Sequence, residues 1–314
     1  MRTLDGRYRL EQRIGVGGMS EVWRAHDAVL DRPVAVKLIS PGPDGQHGPV
    51  ERIRAEARSA ARLVHPNVAS VHDFGTSATL PGRQVPYIVM ELAEGETLAA
   101  HLRNGPLDWR IAVRVCAEVS AALAAAHAHG IVHRDVKPAN VMLTPAGVKV
   151  LDFGIATPTG EPDPAPDGML VGTPAYLAPE QLERAPATPA ADMYALGVLL
   201  YYSLTGRLPY RAGTATQLLG VRRRQAPDPL PEIDGLPPEV ADLCRSCLAD
   251  DPEQRPTSLM AALLLAEAVD ARVYVPLRLP SPRRAVPVSP WTERAAAEVT
   301  EAVPVGDRPD HGER

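Results

Sequence analysis

The sequence predicts an α+β chain made of a strand-rich N-terminal part, a larger helical part and a tail. Three observations carry this. Over the first third, short β-prone runs alternate with glycine and turn residues. Beyond Gly95, apolar residues recur at helical spacing. From Pro276 onward that periodicity stops, and Pro280, Pro282, Pro287 and Pro290 accumulate. The parts divide as 1–93, 94–270 and 271–314. With 314 residues, 45% of them hydrophobic, the chain can bury a sizeable core.

Each element has its own reason. Runs 8–15, 20–27 and 32–39 are predicted strands, separated by glycines or turn residues. Residues 49–64 place Ile53, Ala57, Ala60 and Val64 on one helical face, after a loop over 41–48. Runs 68–74 and 87–92 complete the strands, which makes Asp73 strand-end turn chemistry. Residues 107–129 carry Ile111, Val115, Val119, Leu123 and Ala126 on one face, and Gly130 can close that helix in a left-handed conformation. A short hairpin is predicted for 140–143 and 148–151 about Pro145-Ala146-Gly147. Residues 192–205 are almost wholly apolar, the mark of a buried helix, and Gly206 ends it. Two or three amphipathic helices then reach Val269. The tail is too polar and proline-rich to pack, apart from one helical run at 291–303.

The bulk properties exclude several classes. Net charge is −5, which argues against a broad nucleic-acid or membrane-binding surface, and Arg222-Arg223-Arg224 reads as a solvated helix face. Arg2, Asp5, Arg7 and Arg9 interrupt any signal-peptide core. No run reaches about 18 uncharged apolar residues, the usual membrane-span threshold. The best candidate, 260–275, is broken by Glu267, Asp270 and Arg272. Three cysteines argue against a disulfide framework and for a reducing cytoplasm, with Cys244 and Cys247 as buried thiols rather than a zinc or redox pair.

The stretch 133–154 concentrates the chemistry. His133-Arg134-Asp135 is followed by Asn140, five residues after the Asp, and Asp152-Phe153-Gly154 begins twelve residues after the Asn. A carboxylate base, a compact cation at Lys137 and two hard oxygen donors are what phosphoryl transfer needs: a proton acceptor, charge neutralisation and metal ligation. Asp-Phe-Gly also occurs at 73–75, so the tripeptide alone is weak. Only the later copy follows a catalytic-loop pattern and a hairpin. Lysine usage points the same way. Of 33 Lys plus Arg, only Lys37, Lys137 and Lys149 are lysine, and the first two stand where a point-like ammonium can meet phosphate oxygens. Lys149 reads as a solvated strand residue.

With Gly15-Val16-Gly17-Gly18-Met19-Ser20-Glu21-Val22, Val34-Ala35-Val36-Lys37 and Ala178-Pro179-Glu180, these motifs resemble the eukaryotic-type Ser/Thr protein kinases, most nearly the bacterial members. The resemblance runs in unbroken order over roughly residues 8–268. It implies the two-lobed protein-kinase fold: a small antiparallel sheet with one helix as N-lobe, and a larger, mainly helical C-lobe. It implies a signalling phosphotransferase using ATP with Mg²⁺, or Mn²⁺ in its place, on Ser/Thr hydroxyls of protein substrates. Asp135 is then the proton acceptor, Lys137 the cation on the transferring phosphoryl, and Asn140 and Asp152 the metal ligands. Lys37 contacts the α/β-phosphates, with Glu56 rather than Glu51 as its ion-pair partner. The loop Gly15–Ser20 closes over the triphosphate. Ile14, Val22, Ala35 and Met142 wall the purine slot, Met90 stands at its back, and backbone groups of Glu91 and Ala93 meet the base edge. Thr173 fixes the substrate loop against Asp135 and Lys137, while Glu180 and Arg255 tie that loop to the C-lobe. His133 braces the catalytic loop; His127 and His129 are helix-end residues with no catalytic part.

Two departures and three rivals stand beside this reading. Ser20 replaces the third glycine of the loop, and no Ser, Thr or Tyr lies between Gly160 and Gly172 in the segment 152–180. A carboxylate, Asp163 or Asp167, is therefore expected opposite Arg134, or autophosphorylation falls on Thr157 or Thr159. Pro158, Pro162, Pro164 and Pro166 favour an extended segment. A dinucleotide fold would need a helix after the glycine loop and an acidic residue about twenty positions on, where Ala35 stands. A nucleotide-binding pseudokinase scaffold would lack one of the Lys, Asp or Asn roles, and all are present. A small-molecule phosphotransferase would not need the platform at 172–180 with Arg255.

Overall fold

The computed structural model describes residues 2–17, 20–39, 50–80, 83–153, 174–182, 185–186, 188–210, 215–222 and 224–276. Strands β1 (Arg2–Leu4), β2 (Tyr8–Gly17), β3 (Ser20–Asp27), β4 (Arg32–Ile39), β5 (Val71–Leu80) and β6 (Arg83–Met90) form one sheet in the order β1-β2-β3-β4-β6-β5. Every neighbouring pair in it is antiparallel. Successive side chains of a strand face opposite ways, so β4 sends Val34, Val36 and Leu38 into one cluster with Tyr8, Leu10, Ala25 and Val89. Ala35 faces the other way, into a cluster with Ile88, Met90, Ile53 and Ala57. The last two belong to α1 (Val50–Ala60), which covers that side of the sheet.

Strand β1 has no counterpart in the sequence reading, since three residues are too short to leave a periodic signal, and three expectations need correction. Strand β5 starts at Val71 rather than 68 because the preceding segment is bonded elsewhere: Ala69 N–H donates to Val150 O at 3.0 Å and Val150 N–H to Asn67 O at 2.8 Å. Asp73 consequently lies inside β5, beside a register shift, and accepts from Tyr8 Oη at 2.6 Å. Val64, predicted on the α1 face, lies beyond the helix end and is 89% exposed.

The C-terminal part is mainly helical. A three-stranded antiparallel sheet of β7 (Glu96–Thr97), β8 (Val141–Thr144) and β9 (Gly147–Val150) sits beside helices α2 (Leu98–His101) and α3 (Trp109–Ala128). Then follow α4 (Pro179–Leu182), α5 (Pro189–Thr205), α6 (Ala215–Arg222), α7 (Pro238–Cys247) and α8 (Ser258–Ala268). Gly206 closes α5 at φ 65°, as the left-handed cap requires. Helix α3 alone among the described residues is long and apolar enough to cross a membrane, with mean hydropathy 1.4, but 72% of that window is buried in this fold. Its Val113, Val115, Val119 and Leu123 pack with Met193, Leu196 and Leu200 of α5 in the main core. Ile111, in the first turn of α3, is 53% exposed instead.

All three cysteines are free and buried, and burial pushes the Cys244 thiol up to about 12. Arg222 turns inward rather than forming a solvated face, whereas Arg224 is exposed and Arg223 lies outside the described residues. Residues 277–314, with the helical run predicted at 291–303, lie outside the described residues.

Candidate active site

Strand alternation sets the first functional side chain. Lys37 shares the Ala35 face of β4, is 5% exposed, and places its Nζ 2.7 Å from Asp152 Oδ1. Glu56, the predicted partner of Lys37, belongs to α1, but its side chain lies outside the described residues.

The catalytic segment is held by a buried carboxylate. Val132 and Val136 anchor it in the core, and between them Arg134 takes φ 69°. That left-handed conformation costs a non-glycine residue about 1–2 kcal/mol. Asp192, at the start of α5, offsets it: Oδ2 accepts from His133 N and Oδ1 from Arg134 N, both at 2.8 Å. His127 adds a third contact, its Nε2 2.8 Å from Asp192 Oδ2 and its Nδ1 2.8 Å from Ser258 Oγ. Burial pushes the Asp192 carboxyl up, but the His127 hydrogen bond, the neighbouring imidazoles and the His133 N–H together hold it below its ordinary value. His127 is therefore a brace joining α3, α5 and α8. The His129 ring bonds back to Ala125 O of α3.

Asp135, Lys137 and Asn140 meet in one hydrogen-bonded set. Lys137 Nζ is 2.6 Å from Asp135 Oδ2. Asn140 Nδ2 donates to Asp135 O at 2.8 Å and to Asp135 Oδ2 at 2.9 Å, which leaves the amide oxygen as its remaining polar atom. Asp152 is forced to φ 58° because both its neighbours are pinned. Leu151 N–H donates to Asn140 O at 2.8 Å, and Leu151 O lies 2.9 Å from His133 Nε2. Phe153 meets the His133 ring edge-on at 4.6 Å. His133 thus braces the segment through both its backbone and its ring.

The oxygen of Asn140 and the carboxylate of Asp152 are hard donors that suit a divalent cation. Among the described residues no group of three or more His, Cys, Asp or Glu forms a self-sufficient metal cage. Two protein ligands suit a cation that keeps water and phosphate oxygens as the rest of its shell.

The purine-slot candidates divide. Val22, Ala35 and Met90 share one cluster, with Ala35 opposite Met90 in register, and Met142 is half-buried on β8. Ile14 and Val16, toward the end of β2 that leads into β3, are 50% and 70% exposed. Gly15 and Gly17 pair with Val22 and Ser20 in that hairpin, while Gly18 and Met19 lie outside the described residues. Glu21 is engaged by Arg13 and Trp23. Glu91 N–H is committed to Ser70 O at 2.8 Å, so of its backbone groups only the carbonyl remains for a base edge; Ala93 follows two residues later in irregular, half-buried chain.

Four supporting residues escaped the sequence reading. Lys149 is not solvated: its side chain is 19% exposed and pairs with Glu91 at 2.7 Å. Asn67 Nδ2 bridges to Val148 O at 2.9 Å and to Glu118 Oε2 at 3.3 Å, and Glu118 accepts from Val148 N at 2.6 Å. Glu118 and Asp192 did leave a signal, since each is a charge inside an apolar helical run and must be paired to be buried. Asn67 and Lys149 left none beyond the scarcity of both residue types.

On the substrate side, Arg255 is fully buried and grips Glu180 through two bonds of 2.7 and 2.8 Å. Thr157, Thr159, Asp163, Asp167 and Thr173 lie outside the described residues.

Comparison with known proteins fits this geometry. The protein kinase domain family matches residues 8–268. The chain is 41% identical over 302 residues to the serine/threonine-protein kinase PknA of Mycobacterium tuberculosis, covering 94% of this chain and 70% of that protein. It is 36% identical over 316 residues to PknL of the same organism, covering 98% and 77%. It is 36% identical over 258 residues to PrkC of Bacillus subtilis, covering 81% and 39%. A paired lysine and aspartate together with an aspartate–lysine–asparagine set, on a chain matched this fully, identifies it as a member of the bacterial eukaryotic-type Ser/Thr protein kinases.

Proposed function

We propose that the chain transfers the γ-phosphoryl group of ATP to Ser or Thr hydroxyls of protein substrates, with Asp135 accepting the hydroxyl proton. The observation that carries this is the convergence of Asp135, Lys137 and Asn140 within hydrogen-bond distance, on a loop braced by Asp192. Asp135 orients the incoming alcohol, and Lys137 offsets charge on the transferring group. Lys37 serves the α/β-phosphates, and its present partner Asp152 is one of the two proposed ligands of Mg²⁺, Asn140 being the other. That cation neutralises charge between the phosphates when bound. Val22, Ala35, Met90 and Met142 enclose the purine. Three free, buried thiols support action in a reducing, cytoplasmic setting.

Replacing Asp135 by Asn tests the assignment. The variant should lose phosphoryl transfer by at least about 100-fold while binding ATP nearly as well as wild type, since the change removes a base and not a phosphate contact. Radiolabelled ATP with a generic basic protein measures the first property, and fluorescent-nucleotide titration the second. Full activity in the variant would rule out the role of Asp135.

Autophosphorylation is proposed at Thr157 or Thr159. Mass spectrometry after incubation with ATP should find phosphate there and none within 161–171, which has no Ser, Thr or Tyr. Phosphate restricted to other positions would refute this.

A further inference from the structure

Two arginines converge on one buried ring. Tyr194 of α5 is fully buried, with the Arg255 guanidinium 5.1 Å and the Arg222 guanidinium 5.2 Å from its ring centre. Arg255 is matched by Glu180. Arg222, the last residue of α6, is not: among the described residues no carboxylate lies within ion-pair distance of it. Its Nη1 donates to Leu177 O, its Nη2 to Ala175 O at 2.9 Å, and its Nε is buried without an acceptor. A second ring, Tyr210, lies 5.1 Å from the same guanidinium.

This arrangement is costly for a filler. A guanidinium keeps its proton at any working pH, and a half-buried charge must replace its water with dipoles and ring faces. An apolar side chain could occupy the space without that cost, but could not hold two carbonyl groups in fixed register.

The segment Arg222 grips needs such help. Residues 174–178 contain only a single 3₁₀ turn (Pro174–Tyr176), and side chains satisfy their backbone. Gln181 Oε1 accepts from Ala178 N at 2.9 Å, Arg222 takes the two carbonyls, and the Glu180–Arg255 pair fixes the following turn. Arg222 is the clamp that comes from a different helix.

We propose that Arg222 is a positioning residue for the protein substrate: it ties α6 to the segment 174–178, against which the acceptor peptide lies. The inference rests on reading 172–180 as the protein-substrate platform. Loss of the clamp should then be felt by the protein acceptor and not by ATP.

The test uses the full chain with ATP and myelin basic protein. It measures KM and kcat for the protein, KM for ATP, and the slow hydrolysis of ATP without acceptor. Arg222→Gln is expected to raise the KM for the protein about tenfold, from the loss of two charge-assisted bonds, with ATP KM and hydrolysis changed by less than about twofold. Arg222→Lys, whose ammonium lacks the planar fork, should recover part of the loss, to about threefold above wild type. An unchanged protein KM in Arg222→Gln overturns the proposal, as does an equal fall in ATP use, which marks a general folding defect. If Arg222→Gln is unfolded, the same readouts on Arg222→Lys decide it: a raised protein KM at constant ATP KM supports the clamp, and an unchanged one refutes it. Should the wild-type chain hydrolyse ATP yet label no protein, the platform reading falls and this inference with it.

Discussion

All three lysines of this chain end against a carboxylate: Lys37 on Asp152, Lys137 on Asp135 and Lys149 on Glu91. The first two were legible because their motifs name them. Lys149 was not, since an isolated strand position carries no sign of what faces it across the fold. Its partner also accepts from Ser70 N, so one carboxylate joins β9, the segment before β5 and the chain leaving β6, whose carbonyl at Glu91 is proposed to meet the base. Lys149→Met should release that end and raise the KM for ATP about fivefold, the worth of a partly buried pair of roughly 1 kcal/mol, with kcat little changed. Steady-state kinetics against ATP measures this; an unaltered KM would show that the pair does not set nucleotide affinity. Within the site, backbone strain is likewise local, at Arg134 and Asp152, and each is over-determined by pinned neighbours.

At the scale of elements, the duplicated tripeptide shows how context assigns a motif. In the early copy Asp73 serves Tyr8, Phe74 packs beside α1, and Gly75 leaves the space that the Tyr87 ring fills. A Cβ at Gly75 would collide with that ring. Gly75→Ala should therefore destabilise the N-lobe by about 1–3 kcal/mol through overpacking, with ATP and metal contacts untouched. Chemical denaturation reads the loss, and a stability equal to wild type would contradict the packing. The later copy follows strand β9 and is gripped by His133 and Asn140. The existence of the principal helices and strands was readable from periodicity. Strand β1 and the late start of β5 were not, because the first is three residues long and the second depends on bonds from β9 to residues 67–69.

Across the whole molecule, buried carboxylates control the response to acid. Arg7 holds Asp27 down at about 2 despite burial, against an ordinary 3.8, and Asp192 also lies below its ordinary value. A depressed carboxyl contributes stability that is complete above its unfolded value and vanishes as pH falls through its folded one. The stability gap between wild type and Asp27→Asn should therefore be full at neutral pH, persist to about pH 4, and close toward about pH 2. Urea unfolding across that range measures it, and a gap independent of pH would remove Asp27 from the account. The same two carboxylates tie distant elements, Asp27 the β1–β2 turn to the end of β3, and Asp192 the catalytic segment to α3 and α5.

By itself the sequence determined the class and the order of motifs, and it nominated the side chains proposed to meet ATP, because those are local spacings and residue chemistries. Tertiary structure alone decided which buried and half-buried polar side chains hold that machinery in place: Asp192 under the loop, Glu118 and Asn67 behind β9, Lys149 at the strand end, and Arg222 beneath 174–178. A buried charge is tolerated only with partners, and here those partners lie tens of residues away along the chain, where no periodicity in the sequence can announce them.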